Sequence, residues 1–359
     1  MSAGEEASST FACFGSSCAV FVRGDGGWGS AQDAVATARG RMLEWHERFS
    51  RFLPDSELSR FNRDPRREVP VTPLMARLAE AVSTAGALSG GLVDATLLER
   101  LASAGYSEEP CEPIALERAL ALAPPRRPAR AAAAAHWREI EVVREGNSVA
   151  RAPGVMIDSG GLAKGMFADV LAEELAGHAS FAVNCAGDLT IGGRAGLTRA
   201  VNVASPFDGH TIHTFELVRS GVATSGIGRR RWLDRRGRPA HHLLDPASGE
   251  PAFTGIVQVT ALAPDALTAE IRAKAAILSG PRHAPAWLPD GGVIVFDDGS
   301  NRVLEPPAVV TLEELASFLD TERTLAGALA RAPCASVSRR RRARAGVGRS
   351  TRRRAADAR

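Results

Sequence analysis

Lysine is almost missing from this chain. Of 44 basic residues only Lys164 and Lys274 are lysine, and arginine serves everywhere else. An ammonium is a compact point charge and a guanidinium a planar fork. A chain that keeps lysine twice is read as needing a point charge at those places. Long apolar runs are missing too. No stretch of 18 apolar residues occurs, so no transmembrane helix is expected. Met1–Thr10 carries two glutamates and no basic residue ahead of an apolar stretch, unlike a secretory signal. Paired cysteine spacings are also lacking. Cys13, Cys18, Cys111, Cys185 and Cys334 are scattered and odd in number, with no CxxC. That pattern argues for reduced thiols in the cytoplasm and against a cysteine metal site.

What is present is a globular composition: 359 residues, 45% hydrophobic and 24% charged. Length suggests one large domain or two. The net charge of +3 is uneven, because Arg331–Arg359 holds 11 arginines against the single acid Asp357. That segment carries +10 and leaves −7 for the rest. It lacks apolar periodicity, so a folded domain over 1–325 and a disordered Arg-rich tail over 326–359 are expected. No aromatic interleaves its arginines as a stacking platform requires, so no specific nucleic-acid partner is expected.

Hydrophobic spacing predicts helices at Ala31–Phe49, Pro73–Leu88, Leu97–Ala104, Ile114–Leu122, Leu162–Leu175, Ala266–Leu278 and Leu312–Leu319. Ser56–Phe61 reads as one short helical turn after Pro54-Asp55. Strands are expected at Ser17–Val22, Ala200–Val203, Thr211–Leu217, Val222–Thr224, Ile256–Leu262 and Val293–Phe296. Hairpins are expected for Trp137–Val143 with Ser148–Arg151, and for Ser180–Asn184 with Leu189–Ile191. Consecutive hairpins interspersed with helices indicate an α+β fold with largely antiparallel sheets.

The chain is organised around Asp158–Asp169, Asp-Ser-Gly-Gly-Leu-Ala-Lys-Gly-Met-Phe-Ala-Asp. A strand at Val155–Ile157, a Gly-Gly turn and a helix start would aim backbone N–H groups and the positive helix end at a bound anion. Lys164, in the first helical turn, is placed to reach a phosphate. The bland alternative is an ordinary strand–helix turn. Four more stretches stand out: Asn184–Asp188, a tight turn; Gly221–Gly226, ending a strand in small and hydroxyl residues; His241–Gly249, with a histidine before a Pro turn; and Glu270 with Lys274, four apart on one helix face.

In this order and spacing these stretches resemble the FAD:protein FMN transferases of the ApbE family, from about Phe14 to about Phe296. The family's Pro-Asp-Ser-Glu-Leu-Ser-Arg-x-Asn stands as Pro54–Asn62, and its Asp-x-Gly-Gly-x-Ala-Lys-Gly as Asp158–Gly165. Its Gly-Val-Ala-Thr-Ser-Gly is Gly221–Gly226, and its His-Ile-Ile-Asp-Pro-x-Thr-Gly is His242–Gly249. The resemblance implies a T-fold-like, two-lobed catalytic domain. It also implies a reaction in which a Thr or Ser hydroxyl of a target flavoprotein attacks the FMN-side phosphorus of FAD, with Mg2+ holding the pyrophosphate and AMP leaving. Such phosphoryl transfer depends on positioning and charge neutralisation. Carried over by position, Phe52 stacks on the flavin, and Phe14, Leu92, Val93, Asp94, Asp158, Lys164, Thr224 and Val257 contact FAD. Gly161, through its carbonyl, and Glu270 fall at the metal, and His242 acts in transfer.

The sequence departs from the family at the metal. The family's Ala-Asp-Ala-x-Ala-Thr is here Ala269-Glu270-Ile271-Arg272-Ala273-Lys274. Glu for Asp keeps a carboxylate. Lys for Thr does not keep a ligand, because an ammonium has no lone pair to give. Lys274 then either takes over part of the metal's work beside the pyrophosphate or pairs with Glu270 in a closed metal site. Three activities follow from these readings: FMN transfer, FAD binding with little transfer, and hydrolysis of FAD to FMN and AMP.

Overall fold

The computed structural model describes residues 5–106, 113–143 and 147–307. The chain opens with strands β1 (Glu6–Cys13) and β2 (Ser16–Arg23), then helix α1 (Ala31–Phe49). Ser30 and Asp33 close a reciprocal capping box on α1, which satisfies its first N–H groups. Ala34, Ala38, Met42 and Trp45 form the buried stripe that their spacing predicts. Helix α2 (Glu57–Arg63) is capped by Ser56, and after β3 (Glu68–Pro70) helix α3 (Pro73–Leu88) is capped by Thr72 with proline at its first position. Then come α4 (Leu98–Ser103), α5 (Leu116–Leu122), β4 (Glu141–Val143), β5 (Ser148–Ala150) and α6 (Ala163–Leu175). The second half runs β6 (Ser180–Cys185), β7 (Asp188–Gly192), β8 (Arg199–Ala204), β9 (Thr211–Leu217), β10 (Ser220–Gly226), β11 (Arg231–Leu233), β12 (Pro239–His241), β13 (Ile256–Ala263), α7 (Ala266–Ser279), β14 (Gly292–Phe296) and β15 (Asn301–Leu304).

Eight strands make one sheet in the order β1-β2-β6-β7-β10-β13-β14-β15, with smaller sheets β3-β5-β4, β8-β9 and β11-β12. Every strand pairing among the described residues is antiparallel, so the α+β reading holds. Two large hydrophobic clusters share the main sheet. One packs Val20, Val22 and Val183 against Met42, Phe167 and Leu171. The other packs Val259, Ala261 and Ile294 against Ala273 and Ile277 of α7.

Several elements differ from the pattern-based expectation. β1 is polar and small in composition, with only Cys13 buried, so its alternation in burial has no matching hydrophobic pattern. It forms as an edge strand through its full pairing with β2. β3, β11, β12 and β15, three or four residues each, are too short to carry a periodic signal. Trp137 does not begin a strand: His136–Glu139 is a 3-10 turn, and only Glu141–Val143 pairs with Ser148–Ala150. The expected helix at 312–319 and the Arg-rich tail lie outside the described residues.

Val155–Ile157 is not a strand either, and the reason bears on the site. The Ile157 N–H donates to Asn62 Oδ1 at 2.8 Å, and the Ile157 carbonyl accepts from Asn62 Nδ2 at 2.9 Å. One buried side-chain amide thus meets the hydrogen-bonding needs that a neighbouring strand would otherwise meet. Asn62 ends the Pro54–Asn62 stretch, so that stretch acts by fixing the approach to Asp158.

Helices α6 and α7 are clasped to one another at their starts. Asp169 of α6 accepts the N–H groups of Ala266 and Leu267, both at 2.9 Å, and the Thr190 hydroxyl at 2.6 Å. Glu270 of α7 accepts the Gly165 N–H at 3.0 Å. Each helix therefore supplies an acceptor to otherwise unsatisfied donors in the other's first turn. The approach is close enough to demand glycine: a Cβ on Gly165 would lie 2.7 Å from the Ala266 oxygen and 2.9 Å from the Leu267 Cα. Both are backbone atoms and cannot swing aside. Gly165→Ala is expected to lower stability by about 1–3 kcal/mol in urea unfolding; an unchanged midpoint would show that the two helices separate freely.

Candidate active site

The loop that Asn62 anchors delivers Asp158. Its N–H donates to the Ala95 carbonyl at 2.8 Å, and its carboxylate accepts the Gly160 N–H at 3.2 Å. Ser159 donates its hydroxyl to the Phe49 carbonyl at 2.7 Å. These bonds wind Ser159–Gly161 into a single 3-10 turn before α6 begins. Two cavities open on this turn. The larger measures about 310 Å³ and the smaller about 70 Å³. They share Leu101, Asp158, Gly160 and His242 in their walls.

The two cavities differ in chemistry. The larger is aromatic and cationic: Phe14, Phe49, Phe52, Tyr106 and Phe167 line it with Arg51 and Arg230. Phe14 occupies the left-handed region (φ 52°) in the two-residue turn with Gly15, the geometry that a tight hairpin asks for. Its ring lies 5.5 Å from Phe167 at 27°, and its carbonyl accepts from Arg230 at 3.3 Å. Phe52 is 45% exposed, a large ring left open at the cavity wall. The smaller cavity is aliphatic, lined by Leu92, Val93, Leu97 and Leu244, with Asp94, Gly161 and Lys274.

Most residues singled out in the sequence therefore meet here: Phe14, Phe52, Leu92, Val93, Asp94, Asp158, Gly161, Lys164, His242 and Lys274 line one cavity or the other. Glu270 is buried behind them. Thr224 and Val257 line neither cavity. Thr224 is exposed on β10 with its hydroxyl 2.8 Å from Thr260 Oγ1, and Val257 is fully buried in the second hydrophobic cluster. Sequence reasoning missed Tyr106, the chain's single tyrosine. It stacks on Trp232 at 5.3 Å, and the Arg51 guanidinium sits 4.4 Å from its ring and 4.7 Å from Phe52. A lone Tyr after a short helix carries no local signal; the Arg51-Phe52 dipeptide was the available clue.

Beneath the shared wall lies a buried charge cluster. Lys164 Nζ contacts Asp188 Oδ2 and donates to Glu270 Oε1 at 3.1 Å. Lys274 Nζ donates to the same Glu270 Oε1 at 2.6 Å. Burial opposes the charge on Glu270, but the two ammoniums overcome it and hold the carboxyl at about 2. Burial, and then the charge of Glu270, push Asp188 up to about 7. Burial also works against the Lys164 ammonium, yet Asp188 and Glu270 raise its pKa above the ordinary lysine value. Lys164 thus turns inward to carboxylates, whereas the motif reading aimed it at a phosphate.

This donor set does not fit a divalent cation. A hard cation needs about six oxygen ligands. Both Glu270 oxygens are already committed, Oε1 to two ammoniums and Oε2 to the Gly165 N–H. Asp188 Oδ1 is buried without a partner, but it stands beside the Lys164 charge. A divalent ion seated here would face two ammoniums at close range.

The histidine pair separates as alternation predicts. His241 ends β12, packs edge-on against Phe253 at 4.6 Å and lines neither cavity. His242 lines both. Its Nδ1 is buried without a hydrogen-bond partner. Burial drives His242 well below the ordinary imidazole range, and Arg230, His241 and Lys274 act in the same direction. Burial lowers His241 to about 3. Both imidazoles are neutral at pH 7.

The family model described as "ApbE family" matches residues 14–296. A Vibrio cholerae protein named FAD:protein FMN transferase is 26% identical over 282 residues, covering 74% of this chain and 80% of that protein. Among solved structures, the apbe protein of Thermotoga maritima superposes with a TM-score of 0.68 at 23% identity, over 84% of this chain and 97% of its own. The apo flavinyl transferase ApbE of Pseudomonas stutzeri superposes at 0.67 and 23% identity, over 85% and 96%. These two structures share the fold.

The buried imidazoles predict a pH signature. The folded-state pKa of His241, about 3, lies below its unfolded value of about 6.5. Between those values the unfolded chain binds the proton and the folded chain does not, so this group makes stability fall as pH is lowered. Asp169 and Asp188, raised to about 6 and about 7, act oppositely above about pH 4. Comparing the protein with His241→Phe cancels those carboxyl contributions. Urea unfolding is expected to show the wild type losing up to about 1.4 kcal/mol per pH unit relative to the variant from pH 6 to 4. A constant difference would mean that His241 protonates freely in the fold.

Proposed function

The chain belongs to the ApbE family, and we propose that it transfers FMN from FAD to a Thr or Ser hydroxyl of an acceptor flavoprotein, releasing AMP. The observation that carries this reading is the shape of the cleft: an aromatic cavity and an aliphatic cavity meet at Asp158, Gly160 and His242. FAD has the same layout, two ring systems joined through a pyrophosphate. The isoalloxazine belongs in the aromatic cavity, against Phe52 and Tyr106. The adenosine half belongs in the cavity of Leu92, Val93 and Asp94. The pyrophosphate then lies over the junction, beside Lys164 and Lys274.

The reaction is a displacement at phosphorus. The acceptor oxygen forms a bond to the FMN-side phosphorus, the P–O bond to AMP breaks, and the hydroxyl proton must leave. Neutral His242 has a lone pair available at pH 7 for that proton. A bound pyrophosphate offsets the cationic neighbours that depress its basicity, which brings it nearer the range suited to general-base work. Arg230, at the aromatic cavity wall, supplies a further cation toward the FMN half. We place the reaction in the cytoplasm, a reducing setting that suits the buried free thiols Cys13, Cys18 and Cys185. No helix among the described residues is long and apolar enough to cross a membrane. Magnesium, the cation that the resemblance implies, is assigned no step.

Incubation of the purified protein with FAD and a candidate acceptor flavoprotein, followed by mass spectrometry of the acceptor, tests the reading. Covalently attached FMN with stoichiometric AMP is expected; free FMN and AMP with an unlabelled acceptor would replace it with hydrolysis. Two variants divide the roles. Phe52→Ala is expected to weaken FAD binding by roughly 1 kcal/mol, about fivefold, in a fluorescence titration. His242→Ala is expected to keep FAD and lose about 100-fold or more in transfer. Loss of both properties in His242→Ala would make the histidine structural.

A further inference from the structure

The chain has 44 basic residues, two of them lysine, and both lysines close on one oxygen of one buried carboxylate. Lys164 comes from the first turn of α6 and Lys274 from the third turn of α7. A surface pair on one helix would need no such convergence, and arginine would have served it as it serves the rest of the chain. A guanidinium is broad and planar, while an ammonium is a compact charge with three N–H donors. Among the hydrogen bonds of the described residues, Lys274 spends one donor on Glu270, and Lys164 spends two, on Glu270 and Asp188. Three N–H donors are left over. Lys274 lines the cleft with Asp158, Gly160, Gly161 and His242, and Lys164 lines it from the aromatic side. Asp188 and Glu270 hold the two ammoniums from behind, so a dianionic pyrophosphate meets cations already fixed in place.

We propose that the Lys274 ammonium, held by Glu270, is the resident cation of this site and binds the FAD pyrophosphate without a divalent metal. The proposal rests on the FAD-binding reading above and adds how the anion is held. Lys274 occupies the position from which a cation coordinated by Glu270 would act, and it excludes that cation sterically and electrostatically. Glu270 fixes the ammonium by a direct hydrogen bond at 2.6 Å. Lys164 orders Glu270 from the other side. The charge that a bound ion would bring is thereby built into the chain, and it acts by fixed, preorganised donors.

The test is FAD binding, read by flavin fluorescence, for the full chain in EDTA and in excess magnesium. The wild type is expected to bind equally in both, within about twofold. Lys274→Met, which keeps the stem and removes the charge, is expected to weaken binding in EDTA by about tenfold or more, the scale of a lost charged hydrogen bond. Lys274→Thr, which frees Glu270 Oε1 of one ammonium and adds a hydroxyl oxygen, is expected to bind weakly in EDTA and to recover in magnesium. Thermal unfolding of each variant establishes that it is folded. Wild-type binding that needs magnesium overturns the proposal and leaves the functional reading standing, as does a folded Lys274→Met that binds FAD in EDTA like the wild type. Failure of the wild type to bind FAD under either condition overturns both.

Discussion

One buried carboxylate, Glu270, ties the structure together. It receives the main-chain N–H of Gly165 and the ammoniums of Lys164 and Lys274, so a single side chain joins two helices and both lysines. A carboxylate taken out of water is costly unless its oxygens are fully paired. Here every donor that pairs it lies on α6 or α7, so the pairing requires these helices to be in close contact. Gly165 permits that contact and Asp169 returns it by capping α7. Removing one partner would leave charge buried and unmatched, which is the expensive way to break such a cluster, at about 3–5 kcal/mol. Fold and chemistry therefore share an origin: the clasp that packs the helices also presents the two ammoniums to the cleft.

The cleft walls follow from the same packing. Asn62 holds Ile157 by both main-chain groups, which carries Asp158 and the Gly160-Gly161 turn to the start of α6. The tight turn at Phe14-Gly15 puts an aromatic ring against Phe167 on α6, and the segment after β12 brings His242 across from the other half of the chain. The cleft is thus assembled from pieces distant in sequence. Its two cavities are chemically unlike, and that asymmetry orients a ligand with two different ends.

Much of this was legible in the sequence. The helices α1 and α3 have the bounds that their apolar spacing and Ser, Thr and Pro caps indicate, because periodicity and capping are local. The strands of the main sheet were legible for the same reason, apart from the four-residue β15 and polar β1, which exists only through its partner. Motif order led to ten of the residues that line the cleft. Two further motif residues, Thr224 and Val257, lie on the expected strands but line neither cavity: Thr224 meets Thr260 and Val257 is buried in the second hydrophobic cluster. The apolar run Val155–Ile157 was misread, because Asn62 takes the role of a neighbouring strand there. Tyr106 was not legible at all, and Asn184–Asp188 stood out only as a tight turn without a role for Asp188, since these roles come from contacts 55 residues away with Arg51 and 24 residues away with Lys164. The scarcity of lysine was visible from composition, but its meaning needed the convergence on Glu270.

The chain carries its own cation, Lys274, in the wall of the smaller cavity beside the residues that the two cavities share. A crystal structure of the protein with FAD, grown in EDTA, tests this most directly. The account predicts the isoalloxazine ring against Phe52 and Tyr106, and the pyrophosphate within hydrogen-bonding distance of Lys274 Nζ, with Glu270 still bound to both lysines. A pyrophosphate seated away from Lys274, or a Lys274 side chain turned out of the cleft when FAD binds, would contradict it.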